Sequence, residues 1–228
     1  IKDQPSRATV AATYQFIISE MTKAAGLLDQ SVKDKSFMNL NAVNALLARI
    51  YLYKADNEKA AEYATKVIGS GDFQIMDAAK FLDIYRSKLS SESVFELLFD
   101  SQNRSGYNGA TFSRQDAIRP ELGYMASKNL QEFFNARVGD VRNNLVDFSS
   151  DNNDVTILPD GRTQKYRGEA SKDNSAYIVR FAEMYLIRAE ALGNLKGLAD
   201  LNFLRQKRGL AVLTPNQVST SDDFINAV

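Results

Sequence analysis

Apolar residues recur at helical spacing in both flanks of the chain and lose that rhythm through its middle. In residues 7–28, Tyr14, Ile17, Ile18, Met21, Ala24 and Ala25 fall on one stripe, and Gly26 or the "DQS" after it is the expected stop. Residues 41–53 place Val43, Leu46, Leu47, Ile50 and Tyr51 at the i, i+3, i+4, i+7, i+8 positions, with Ala45, Ala48 and Leu52 on the adjacent face. The joint "KADN" offers Asp56 or Asn57 as an N-cap. Ala60, Ala61, Ala64, Val67 and Ile68 then repeat the pattern until Gly69. So short a joint makes the two helices antiparallel neighbours.

Further along, residues 78–85 predict a brief helix and "SVFELLF" (93–99) a strand. Between Asp100 and about Ser175, Gly, Asn, Ser, Arg and Asp crowd in, and regular structure thins to a helix in 125–136 and a hairpin in 156–166 turning at Pro159-Asp160-Gly161. Helices are expected again at 178–195 and 198–208. The first has Phe181, Ala182, Tyr185, Leu186, Ala189 and Leu192 on one face and Arg180, Glu183 and Glu190 opposite; Gly209 closes the second. The last residues predict an N-capped helix starting at Ser221 or Asp222, with Phe224, Ile225 and Val228 on its apolar side.

The alanine spacing in 40–71 matches a tetratricopeptide unit, whose period is about 34 residues. Leu47, Ala48 and Tyr51 take the large, small and aromatic places of the first helix, and Ala60 the small place of the second. Small side chains let paired helices approach to the short end of the 8–10 Å range, and larger ones would wedge them apart. The expected fold is therefore mainly α: tetratricopeptide-like helical hairpins with a long irregular insert containing short strands. One domain spans 1–228, with helical hairpins and a short strand in 7–99, the loop-rich insert in 100–175 and a second hairpin with the start of a further helix in 176–228. An insert of that length inside a helical domain points to function or to disorder.

Composition removes whole classes of chemistry. The absence of Cys excludes disulfides, thiolate nucleophiles and Cys-ligated zinc, and the absence of His excludes Ser-His-Asp triads and HExxH metal sites. With no Trp, any stacking platform is built from the 10 Tyr and 13 Phe. Lys+Arg and Asp+Glu balance at 28 each, so no net field draws the chain to nucleic acid. No apolar run is long enough to span a bilayer. No cofactor or metal is expected: "SSDNNDV" (149–155) offers Asp151 and Asp154 to calcium but lacks the Gly and terminal Glu of a calcium loop. Arg180 and Glu183, one turn apart, suit an ion pair, and Arg205 or Arg208 on the next helix is placed to meet Glu190.

The stretch "YIVRFAEMYLIRAEALGNLKGLADLNFLRQKRGL" (177–210), through Arg180-Phe-Ala-Glu183, Tyr185-Leu186, Ala189-Glu190-Ala191, Asp200-Leu-Asn202 and Arg205, resembles the signature of the SusD/RagB family. The first helix, "ALLARIYLY" with "EKAAEYATKVI", "SESVFELLF", "GDVR" (139–142) and "KY" (165–166) resemble other landmarks of that family in the same order. The resemblance implies a non-catalytic, surface-exposed lipoprotein of the bacterial outer membrane. Such proteins bind oligosaccharides or other nutrients and act as a lid on a SusC-like TonB-dependent transporter. It also implies segments that this sequence does not contain: a signal peptide, a lipid-anchor Cys that would attach the protein to the membrane, and a Glu-Arg…Glu-Leu…Glu-Gly-x-Arg stretch after "FINAV". On that reading the chain is a central piece of such a protein.

Sugar capture requires flat aromatic faces together with amide and guanidinium donors. The insert interleaves these types with glycines in "SQNRSGYNGATFSR" (101–114), so the candidate ligand-binding residues are Asn103, Arg104, Tyr107, Asn108, Phe112, Arg119 and Tyr124, with Arg114 beside them. No catalytic residue is expected. Two other functions fit the pattern: a tetratricopeptide-type adaptor for a protein or peptide partner, and a glycoside hydrolase using carboxylates such as Glu96, Asp100 and Asp140.

Overall fold

The computed structural model describes residues 6–100, 102–104, 127–147, 162–163 and 175–228. Helix α1 (Val10–Leu27) starts where the Thr9 hydroxyl accepts the Ala12 N–H at 3.1 Å. Its predicted stripe, from Tyr14 to Ala25, is half-buried, whereas Val10, Phe16 and Leu27 face solvent. Asn39 and Asp56 cap α2 (Leu40–Tyr53) and α3 (Asn57–Ile68) by accepting the N–H groups of Ala42 and Lys59. The two helices abut as an antiparallel pair, and Ala45, Ala48, Ala60 and Ala64 are completely buried between packed helices. Tyr51 and Tyr63 stack across the pair, ring centroids 5.4 Å apart.

The helix expected over 78–85 is a 3₁₀ turn, Ala78–Lys80, followed by the single turn α4 (Asp83–Arg86). Strand β1 (Ser93–Leu97) follows. Helix α5 (Lys128–Asn135) is capped by Ser127, and a 3₁₀ turn, Val141–Leu145, runs into β2 (Val146–Asp147). Strand β3 (Arg162–Thr163) pairs antiparallel with β2. Of the hairpin expected within 156–166 only Arg162 and Thr163 are among the described residues, and they pair with Asp147 and Val146, fifteen and seventeen residues back; Pro159-Asp160-Gly161 lies outside the described residues.

The helix start placed at 178 is corrected. Residues Ala176–Arg180 form strand β4, antiparallel to β1, with Ser93 opposite Arg180 and Glu96 opposite Tyr177. Tyr-Ile-Val favours extended backbone, and the paired residues of the partner strand lie 79 to 87 positions away, where local periodicity cannot register them. Helix α6 (Phe181–Lys207) then runs to Gly193, whose φ of 72° and ψ of −179° break it into two halves. The halves fold back on each other. Tyr185 meets Phe203 at 4.8 Å between rings, and Arg188 forks Asp200 with two bonds of 2.7 Å. Gly197 fits against Ala189 so closely that a Cβ there would stand 2.1 Å from the Ala189 carbonyl oxygen.

Helix α3 is sandwiched between α2 and α6, which places the two hairpins in successive layers. The first half of α6 is consequently buried on more than its predicted face: Met184 and Ile187 are in the core, while Leu192, next to the break, is largely exposed. A 3₁₀ turn, Pro215–Val218, leads to α7 (Ser221–Ala227). Its N-cap is Thr220, one residue before the expected position, because Thr220 and Asp223 satisfy each other's backbone N–H groups reciprocally. Phe224 is fully buried against Leu201 and Val218. Among the described residues no helix is long and apolar enough to cross a membrane.

Candidate functional site

The signature residues of the second hairpin turn out to hold layers together. Arg49 of α2 donates to both oxygens of Glu183, at 2.6 and 2.7 Å, and to the Ile178 carbonyl at 2.9 Å. The hydrogen bonds that Arg49 donates to Glu183 raise the Arg49 pKa. The expected Arg180–Glu183 pair is therefore replaced by one spanning 134 residues, since Arg180 belongs to the strand and its guanidinium lies over the Tyr85 ring at 5.5 Å. Neither Arg205 nor Arg208 meets Glu190. Arg208 forks the fully buried Glu92 with two bonds of 2.8 Å, and the Arg205 Nε donates to the Ala211 carbonyl. Glu92 also accepts the Met76 N–H at 2.8 Å, so one carboxylate ties β1, α6 and the segment after α3.

Of the carboxylates weighed for hydrolysis, Glu96 is fully buried and accepts from the Ser93 hydroxyl and the Leu89 N–H. Asp140 is buried under a fork from Arg142, and Asp100 folds its own loop by accepting the N–H groups of Gln102 and Asn103 at 2.8 and 2.6 Å. All three have structural work. Among the described residues no group of acidic side chains is arranged to hold a metal ion.

Of the residues expected to touch ligand, Asn103 and Arg104 stand exposed on that Asp100 turn. Tyr107, Asn108, Phe112, Arg114, Arg119 and Tyr124 lie outside the described residues, as do Asp151 and Asp154.

A cleft that the sequence reading missed lies where the insert meets the second hairpin. Gly139 (φ 86°) and Gly209 (φ 77°) press backbone to backbone; a Cβ on Gly209 would lie 2.1 Å from the Gly139 carbonyl oxygen. The Val141 N–H donates to the Arg208 carbonyl at 3.0 Å. This contact docks "GDVR" on the end of α6 and brings Arg142 to the mouth of a cavity of about 280 Å³. Phe81, Tyr85 and Phe134 form its aromatic walls, and Arg142, Arg180, Arg205 and Arg208 supply its charge. Burial lowers the Arg205 pKa, and the positive charges of Arg142 and Arg137 add to that, against the attraction of Asp140. Only the "GDVR" glycine and the arginine-rich end of α6 hinted at it; the walls come from four separate stretches of chain.

The successive layers of α2, α3 and α6 define a tetratricopeptide-like helical scaffold. More narrowly, the architecture is SusD-like. A SusD superfamily protein from Bacteroides vulgatus is 29% identical and superposes with a TM-score of 0.75, over 97% of this chain and 51% of that one. One from Bacteroides thetaiotaomicron is 25% identical with a TM-score of 0.78, over 99% and 53%. Surface glycan-binding protein A of Bacteroides thetaiotaomicron, in its complex with laminarihexaose, shares the fold at 19% identity and a TM-score of 0.70, over 94% and 57%. The chain spans about half the length of these solved relatives. No protein-family model and no curated protein sequence matches it.

Proposed function

We propose that the chain is part of a non-catalytic nutrient-binding protein of the cell surface. It captures oligosaccharide at the outer membrane and delivers it to a SusC-like TonB-dependent transporter. The observation that carries this reading is superposition of 97–99% of the chain on SusD superfamily proteins at 25–29% identity. The laminarihexaose complex of a more distant relative supports an oligosaccharide as ligand. Loop 101–114 is the proposed contact segment, because it follows in sequence the turn that Asp100 holds and interleaves Tyr, Asn and Arg with glycines.

A glycan array carried out alongside a peptide array tests the class of ligand, and release of reducing ends tests for turnover. Binding to glycans with no turnover is expected; selection of peptides over glycans, or hydrolysis, refutes the proposal. Replacing Arg104 and Tyr107 together by Ala is expected to weaken glycan binding in calorimetry while the far-ultraviolet circular dichroism stays unchanged. Unaltered affinity would remove this loop from the site.

A further inference from the structure

Two enclosed oxygen atoms lie close to the strand from which the polar insert departs. Glu96 is fully buried on β1, and Ser90 is nearly so on the turn before it. Among the described residues, Glu96 Oε1 and Ser90 Oγ find no hydrogen-bond partner. Both atoms are covered, so no surface group can reach them. A buried carboxylate oxygen left unsatisfied is costly, and native folds fill such sites.

The surroundings define the occupant. The other oxygen of Glu96 is taken by the Ser93 hydroxyl at 2.7 Å and the Leu89 N–H at 3.1 Å. Lys35 supplies the counter-charge. Its Nζ donates to the Ser90 carbonyl at 2.8 Å, and its own carbonyl accepts the Glu96 N–H at 3.0 Å. Burial lowers the Lys35 pKa, and the negative charges of Glu96 and Asp72 oppose that. The ammonium thus stands close enough to feel the Glu96 carboxylate, yet it does not bond to it.

We propose that one ordered water occupies this site, accepting from Lys35 Nζ and donating to Glu96 Oε1 and Ser90 Oγ, so that the two charges pair through it. Buried waters make about three hydrogen bonds, which these atoms supply. A metal cation fits less well, because Lys35 already neutralises Glu96 and would repel it. The network has a structural consequence. Leu89 sits at φ 51°, a left-handed conformation uncommon for a residue with a side chain, and its N–H is held there by Glu96. The water-bridged pair therefore fastens the connection between α1 and α2 to the turn before β1 and to β1 itself.

A high-resolution crystal structure of the wild-type protein tests the site directly. A single density peak at about 2.7–3.2 Å from all three atoms is expected. A direct Lys35–Glu96 bond, another side chain on Glu96 Oε1, or no peak at all overturns the proposal. So does a peak ringed by oxygens at about 2.4 Å, the mark of a metal ion. A double-mutant cycle followed by urea titration tests the pairing in solution. Lys35→Met and Glu96→Gln are each expected to lower the folding equilibrium constant roughly tenfold. The double variant should lose much less than the roughly hundredfold that independent effects would give. Additive losses overturn the pairing even where the peak is present. If either single variant fails to fold, the crystal structure alone decides.

Discussion

Gly197→Ala tests the packing of the second hairpin, because two effects of opposite sign meet at one methyl group. Alanine is the better helix former, by at most about 1 kcal/mol. Against that, its Cβ would lie 2.1 Å from the Ala189 carbonyl oxygen and 2.7 Å from the carbonyl carbon. Ordinary carbon–oxygen contact is about 3.3 Å, so the helix halves must part by roughly 1.2 Å. Both offending atoms are backbone, so no rotamer change relieves the clash. Parting the halves loosens Ala189 and Leu201 in the core, the Tyr185–Phe203 ring contact and the Arg188–Asp200 fork together. Overpacking costs about 1–3 kcal/mol, and a clash that only backbone movement relieves falls in the upper part of that range, about 2–3, leaving a net loss of about 1–2 kcal/mol after the propensity gain. For a chain of this size that lowers Tm by roughly 2–8 °C. Gly26→Ala is the matched control, since a Cβ on that glycine near the end of α1 meets nothing within 4 Å. It is expected to be neutral or stabilising by at most about 1 kcal/mol. Thermal melts followed at 222 nm decide the matter; a Gly197→Ala protein as stable as the wild type would refute the close approach of the two helix halves.

Glu92→Ala strands Arg208 in a buried position and is expected to destabilise by about 3–5 kcal/mol in urea titration, far more than removal of an exposed carboxylate; a loss below about 1 kcal/mol would mean that the fork is not holding β1 to α6. Glu62 titrates at about 2 instead of 4.5, held down by hydrogen bonds from Lys59 and Lys66. Its pKa is lower in the folded chain, so its contribution to stability is complete above pH 4.5 and fades as pH falls toward 2. Because the carboxylate is exposed, water and salt keep the effect small, and Glu62→Gln should flatten the acid limb of the stability curve only slightly; an acid limb that steepens would contradict that sign.

Local pattern was enough for much of the scaffold. Helices α1 to α3, the caps at Asp56 and Gly69, the strand after Glu92 and the helix in 125–136 were legible because caps, glycine stops and a 3.6-residue rhythm act over a few neighbouring residues. The absence of His and Cys likewise settled, without coordinates, which chemistries the chain does not use.

What escaped the sequence depends on residues far apart along the chain. Strand pairing with β1 turned 176–180 from the start of a helix into β4, and that change took Arg180 away from Glu183 and gave Glu183 to Arg49. Arg208 lies 116 residues from Glu92, and the cleft draws on α4, the end of the insert and α6. Periodicity reports which face of a helix is apolar, but not which partner arrives to cover it. The amino-acid order therefore determined the helices and the small residues that let them close, whereas the layering of α2, α3 and α6 decided which charges meet. Charges separate in sequence become partners only once the backbone has folded them within hydrogen-bonding reach.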